Sequence, residues 1–221
     1  MSEYIEPAQV TGPPERHSRL SHEARRRLLR LIWHAIGLFP LAWLLFDFWF
    51  GRLGPDPIRA MILRTGKAAI IMLTLSLACT PARFILGWRQ ANAARRPLGL
   101  YAFMYVCLHL LFFVWLDYGF QLRLVIAEII LRRYAIVGFV AFLLLIPLAL
   151  TSTKGMQRRL GKRWTMLHRL VYVAAVLAAI HYLWLVKNAW TQPLIFATAI
   201  GLLLLVRVPT IKRLLLSVRL R

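Results

Sequence analysis

Apolar residues fall in long runs that short basic segments separate. A helix that crosses a bilayer core of about 30 Å needs roughly 20 mostly apolar residues; five windows approach that length and a sixth is weaker. The weak one is the second, because its apolar stretch Ala68–Cys79 is short and follows Arg64 and Lys67, whose long stems can reach the interface. The pattern predicts an all-α integral membrane protein, a bundle of six transmembrane helices. The predicted spans are 31–50, 58–80, 98–116, 134–151, 164–186 and 190–207.

Polar segments flank the predicted six-span domain, which covers residues 31–207. Residues 1–30 are polar, contain three prolines and close in arginines, which predicts a disordered basic tail rather than a cleaved signal peptide. Residues 208–221 are predicted to form a second, short basic tail. Between spans three and four, Phe120–Leu131 is too short to cross the membrane and is expected to lie along its surface.

Composition and charge agree with a lipid environment. Hydrophobic residues make up 60% of the chain and charged residues 17%, whereas soluble proteins carry about 25% charged residues. The chain has 29 Lys and Arg against 8 Asp and Glu, a net charge of +21. In a soluble protein this excess would indicate nucleic acid, but here the basic residues cluster between apolar runs. We therefore expect contact with an anionic membrane surface and no nucleic acid partner.

The basic residues of the short loops predict the orientation. One side of the membrane receives the N-terminal tail, the loops 83–97 and 154–163, and the C-terminal segment, all rich in Arg and Lys. The other side receives fewer, and Lys187 stands alone in its last loop. By the positive-inside rule both termini are cytoplasmic, and spans three and five both run outward.

Three histidines are predicted to lie within spans, where an ionisable side chain indicates a functional site. They are His109 in span three and His168 and His181 in span five; His34 is expected at the interface, and His17 and His22 in the solvated tail. Inward imidazoles on facing helices are typical haem ligands. Histidines that are hydrogen-bonded within the core, or that relay protons, would give the same pattern.

Spacing separates the two histidines of span five. Thirteen residues at 1.5 Å each place His168 and His181 roughly 20 Å apart along the helix, so they cannot share one iron. His109 lies at a depth almost midway between them. Depth alone therefore does not choose the partner of His109.

Motifs around these histidines resemble the MsrQ family, formerly called YedZ, in the ferric-reductase-like transmembrane group. The first block, Arg95-Arg96-Pro97-Leu98-Gly99-Leu100, leads to Leu108-His109. The second runs from Leu148-Ala149-Leu150-Thr151-Ser152-Thr153 through Arg158-Arg159-Leu160-Gly161, Arg163-Trp164 and Leu167-His168 to His181-Tyr182. The resemblance covers about residues 31–207.

The resemblance implies a membrane subunit that moves electrons. Its expected cofactors are b-type haem, one or two, and FMN; its expected partners are a quinol donor and a periplasmic molybdopterin-dependent reductase, MsrP, which repairs methionine sulfoxide. The implied location is the bacterial inner membrane. The implied metal ligands are His109, His168 and His181, while Arg95 and Arg96 could pair with haem propionates or the FMN phosphate.

One position departs from the two-haem oxidases of the wider group, which carry a second histidine about 14 residues earlier on helix three. Arg95 stands there in this sequence. The analogy therefore pairs His109 with His181 and leaves His168 without a histidine partner. The sequence lacks the soluble FAD and NADPH domains of those oxidases, so another electron donor is expected.

Two other interpretations stay open at this stage. The first is a related cytochrome b-type carrier or ferric reductase with a different electron acceptor. The second is a haem-free transporter subunit whose histidines relay protons. No constellation of serine, cysteine or carboxylate indicates nucleophilic catalysis, so we expect the chain to pass electrons rather than to hold the sulfoxide.

Overall fold

The chain is all-α in the computed structural model, which describes residues 16–88, 90–186, 189–211 and 213. Helix α3 continues into a π-helical turn, Phe113–Asp117, and no strand occurs in these ranges. The helices are α1 (Arg16–Trp49), α2 (Pro57–Ile85), α3 (Ala91–Phe112), α4 (Leu122–Leu131), α5 (Arg133–Leu150), α6 (Lys154–Leu160), α7 (Lys162–Leu167), α8 (Leu170–Leu185) and α9 (Thr191–Leu205).

Within the described ranges, five helical segments are long and apolar enough to cross a membrane. They are Arg27–Trp49, Pro57–Ile85, Ala91–Asp117, Arg133–Leu150 and Lys162–Leu185, while the sixth predicted span is the shorter apolar helix α9, Thr191–Leu205. The all-helical membrane fold is thus confirmed. The fifth span is interrupted, because α7 ends at Leu167 and α8 begins at Leu170. The interruption places His168 in a turn.

Two antiparallel hairpins form the body of the molecule. Helix α2 packs along α3, and α5 packs along α8. Helix α1 lies against α3 and α2, α9 lies against α8 and α2, and α3 also contacts α5. Small residues allow the close approach: Ala94, Ala174 and Ala175 are fully buried. The larger buried side chains around them include Leu77, Leu98 and Tyr105.

The second span, predicted to be the weakest, is the most buried. Half of its most apolar window is inside the protein. Arg64, expected to reach the membrane interface, forms an ion pair with the buried carboxylate of Asp47 at the end of α1. Asp56 caps the same end of α2 by accepting a hydrogen bond from the Arg59 backbone N–H, 3.0 Å.

The two ends of the bundle differ in charge. The end where α2 stops and α3, α6 and α7 begin carries most basic side chains of the described residues, and we call it the basic end. The other end carries the ten-residue helix α4, whose apolar side chains are mostly exposed; we call it the α4 end.

The tails are only partly described. Helix α1 begins at Arg16, inside the segment 1–30 that the sequence predicted as disordered, and the Ala, Leu and Arg residues there favour helix. Residues 1–15 and 214–221 and the side chains of His17 and His22 lie outside the described residues. The proposed domain boundaries stay predictions.

Candidate functional site: a histidine pair between two hairpins

The structure brings His109 and His181 together near the α4 end. His109 lies near the end of α3 and His181 near the end of α8. Their ring centroids are 6.3 Å apart, and the ring planes stand at 83° to each other. Each hairpin therefore contributes one imidazole to a common site.

Both imidazoles are held by the same kind of hydrogen bond. His109 Nδ1 lies 2.8 Å from the carbonyl oxygen of Ile62 in α2, and His181 Nδ1 lies 2.7 Å from that of Tyr134 in α5. Since a carbonyl can only accept, each Nδ1 carries the proton and donates. The Nε2 atom of each ring is then the nitrogen left to bind a ligand.

A glycine opens each of these carbonyls to the histidine. In a helix, the carbonyl of one residue accepts the N–H of the residue four positions later; for Ile62 and Tyr134 those residues are Gly66 and Gly138. A Cβ at Gly66 would lie 3.0 Å from His109 Nδ1, and one at Gly138 would lie 2.5 Å from His181 Nδ1. At Gly138 a Cβ would leave no room for the ring, and at Gly66 the ring would have to shift by a few tenths of an ångström.

The distance between the rings fits an iron between them. Two imidazoles bound through Nε2 on opposite sides of one metal, with bonds of about 2 Å, have centroids about 6 Å apart. The described residues contain no group of three or more His, Cys, Asp or Glu that could enclose a metal ion. Haem suits such a pair, because the porphyrin fills four coordination positions and needs two axial ligands from the protein.

His168 lies elsewhere, at the basic end. Its ring stacks on Trp164 at a centroid distance of 3.9 Å, and Nδ1 lies 3.1 Å from the Trp164 carbonyl. Nε2 is buried and has no hydrogen-bond partner among the described residues. The structure thus separates His168 from the other two histidines.

Arg95 and Arg96 also lie at the basic end, in the first turns of α3. Arg95 is partly buried and Arg96 is exposed. The Arg95 carbonyl accepts a hydrogen bond from Ser76 Oγ in α2, 2.8 Å. Neither arginine reaches the histidine pair at the other end of α3, so any contact with a cofactor is a separate site.

Sequence reasoning missed Gly66 and Gly138, although the chain contains a signal for them. Both histidine–carbonyl bonds join residues 47 positions apart. A shift of 72 residues superimposes Gly66 on Gly138 and His109 on His181. Once the two histidines are paired, this common shift identifies the two glycines.

Comparisons with known proteins give the class of this fold and site. The sequence profile described as "Ferric reductase like transmembrane component" matches residues 65–179, a range that holds His109 and His168 and ends two residues before His181. With its apolar helices, this match makes the chain a membrane protein of the ferric-reductase-like class.

Closer relatives narrow that class. Three of them carry the name "Protein-methionine-sulfoxide reductase heme-binding subunit MsrQ". The one from Rhodospirillum rubrum is 50% identical over 191 residues, 86% of this chain and 92% of the relative. Those from Herminiimonas arsenicoxydans and Deinococcus radiodurans are each 47% identical, over 71% and 80% of this chain and 73% and 88% of the relatives. The chain belongs to the MsrQ family, which confirms the resemblance seen in its motifs.

Proposed function

We propose that this protein is the haem-binding membrane subunit that carries electrons to a reductase of oxidised methionine residues. The observation that carries the proposal is the pair of imidazoles at 6.3 Å, each with Nδ1 bonded to a carbonyl. The relatives are named as haem-binding subunits of a protein-methionine-sulfoxide reductase, and this chain has the residues for that role.

The chain's own residues position and insulate the cofactor. A b-type haem held here supplies a one-electron carrier within the membrane. His109 and His181 would hold the haem iron through Nε2, and the carbonyls of Ile62 and Tyr134, which accept from each Nδ1, would fix the tautomer and strengthen each nitrogen as a ligand. The surrounding apolar helices keep bulk water from the site.

The proposed route runs from the basic end to the α4 end. The positive-inside rule places the basic end and both termini in the cytoplasm of a bacterium whose inner membrane holds the protein. Electrons enter from a quinol or flavin donor, with FMN as the proposed flavin. They leave to a periplasmic molybdopterin-dependent reductase, MsrP in this family, docked near α4 and the adjoining loop 117–121. The histidine pair lies in the half of the bundle nearest that face.

The residues of the basic end have a second proposed role. Arg95 and Arg96 are proposed to pair with the FMN phosphate or with haem propionates. His168, with its buried and unpartnered Nε2, is the residue that would hold a second haem. No other histidine ring contacts His168 among the described residues, so such a haem would need a different opposite ligand.

Cofactor analysis of the purified protein is the direct test. Haem, iron and flavin are quantified per chain, and the absorption spectrum is recorded before and after dithionite. We expect a low-spin b-type spectrum and at least one haem per chain. A protein without haem would overturn the proposal in favour of a transporter subunit.

A second experiment tests the electron acceptor. Dithionite-reduced protein, freed of excess reductant, is mixed with the periplasmic reductase and a methionine sulfoxide substrate. We expect the haem to reoxidise as the sulfoxide disappears, and to stay reduced when either component is omitted. Reoxidation at the same rate without the reductase would favour a carrier that serves another acceptor.

A further inference from the structure

Arg207 joins three helices at the basic end. It follows α9, its guanidinium carbon lies 4.9 Å from the ring centroid of Tyr172 in α8, and its Nη2 donates a 2.5 Å hydrogen bond to the Leu77 carbonyl in α2. The side chain is partly buried. A charged group in this position needs partners for all of its donors.

One of these donors has a structural role. Pro81 lies four residues after Leu77 in α2 and has no backbone N–H, so the Leu77 carbonyl lacks its usual helical partner. Arg207 Nη2 supplies the missing hydrogen bond. This contact explains why the arginine is anchored here. It leaves Nε and Nη1 to donate to another acceptor.

The remaining donors lie beside the Tyr172 ring and are buried. Nε and Nη1 of Arg207 have no hydrogen-bond partner among the described residues. The same holds for Thr80 Oγ1, which follows Leu77 by three residues and so lies on the same side of α2. Buried donors without acceptors are rare in folded proteins, and several in one place indicate an absent acceptor.

The charge of the region indicates what that acceptor is. The Arg95 charge acts on Arg207, so two guanidinium groups repel each other here. The carboxylates among the described side chains lie at the α4 end and cannot neutralise them; they are Asp47, Asp56, Asp117 and Glu128. An oxyanion would satisfy the free donors and offset the repulsion.

We propose that Arg207, Thr80 and Arg95 form a binding site for a phosphate group at the basic end. Arg207 donates from Nε and Nη1, Thr80 from its hydroxyl, and Arg95 adds charge. Two sources share this chemistry: the phosphate of FMN, which rests on the function proposed above, and the headgroup of an anionic phospholipid. The site lies at the opposite end of α3 and α8 from the histidine pair.

The test compares ligands with and without the phosphate in full-length protein. FMN and riboflavin are titrated against detergent-purified protein by flavin fluorescence, and retention of phosphatidylglycerol and of diacylglycerol, which lacks the phosphate, is measured by native mass spectrometry. The variants are Arg207→Gln and Arg207→Lys, which both keep a donor for the Leu77 carbonyl. Arg213→Gln, an exposed arginine of the same end, is the matched control.

We expect wild-type protein to prefer one phosphate ligand over its neutral counterpart by at least tenfold. Arg207→Gln should abolish that preference, Arg207→Lys should weaken it, and Arg213→Gln should preserve it. A preference for FMN assigns the site to the flavin, and a preference for phosphatidylglycerol assigns it to lipid. The proposed site would be wrong if wild-type protein showed no preference for a phosphate ligand, or if Arg213→Gln lost the preference as fully as Arg207→Gln. The haem spectrum of the same samples reports separately on the proposed function.

Discussion

The α2–α3 and α5–α8 hairpins present their histidines by the same device but in different surroundings. In each, the imidazole donates to a helical carbonyl exposed by a glycine four residues later. The clearance differs: a Cβ would lie 3.0 Å from the ring at Gly66 and 2.5 Å at Gly138. Burial differs too, since 50% of the most apolar window of α2 is inside the protein, against 17% for α5.

The comparison indicates that the two hairpins have different roles. Helices α2 and α3 supply most of the main core and an ion pair to α1, so changes there should reduce stability. Helices α5 and α8 have a small buried cluster of Leu145, Leu148 and Ala174, and His181 of α8 bonds to α5 at the ligand site. Changes there should mainly affect the ligand site.

Removing either histidine is the largest expected change. His109→Ala and His181→Ala should each abolish the low-spin haem spectrum, because the iron loses one axial nitrogen and the site opens to water. Absorption spectra and haem content of the purified variants measure this. His34→Ala is the control, since His34 bonds to the Tyr101 hydroxyl at 2.8 Å and lies away from the pair.

The same series tests the pairing itself. His168→Ala should keep the haem bound between His109 and His181. If His168→Ala removed all haem while His181→Ala retained it, the two hairpins would not share the site and the comparison would fail.

The next largest change should distinguish the two glycines. Gly138→Ala should displace the His181 ring, because a Cβ at 2.5 Å leaves no space, and should lower haem occupancy about tenfold; one such factor corresponds to about 1.4 kcal/mol. Gly66→Ala, whose Cβ would lie 3.0 Å from His109 Nδ1, should retain haem and shift its reduction potential, which redox titration measures. Gly201→Ala in α9, where a Cβ meets nothing within 4 Å, should change neither quantity. Equal effects of Gly66→Ala and Gly138→Ala would remove the distinction between the hairpins.

The sequence predicted the helical membrane fold, the family and the three membrane histidines from local patterns. It could not choose the partner of His109, because depth gives one coordinate and the choice depends on which helices pack together. It also did not reveal the ion pair of Arg64 with Asp47, since nothing local shows that the two side chains will face each other. The turn that separates α7 from α8 at His168 is a further feature that apolar periodicity does not reveal.

Loss of the ion pair should reduce stability without removing haem. Asp47 has 8% of its side chain exposed and Arg64 38%, so Asp47→Asn leaves a half-exposed cation without its partner. We expect a destabilisation of about 2 kcal/mol, below the usual range for fully buried pairs, measured by thermal unfolding in detergent. Asp117→Asn, at an exposed position of the same end, should have little effect. Loss of haem in Asp47→Asn would show that the ion pair belongs to the ligand site.

The smallest expected change concerns a third carbonyl opened by a glycine. Ser76 Oγ donates to the Arg95 carbonyl at 2.8 Å, and Gly99, four residues after Arg95, would place a Cβ 3.4 Å from that hydroxyl oxygen. This distance is ordinary van der Waals contact, so Gly99→Ala should be tolerated. Ser76→Ala should cost about 1 kcal/mol for one lost hydrogen bond, with the haem spectrum unchanged.

Gly99→Ala completes a graded series with Gly66→Ala and Gly138→Ala. The effect of a glycine-to-alanine change should fall as the clearance rises from 2.5 Å at Gly138 through 3.0 Å at Gly66 to 3.4 Å at Gly99. The effect of each change is measured by thermal unfolding and by the haem content of the three alanine variants. A large loss of stability in Gly99→Ala would mean that helix packing around α3, rather than access of a donor to a carbonyl, explains why glycine stands at these positions.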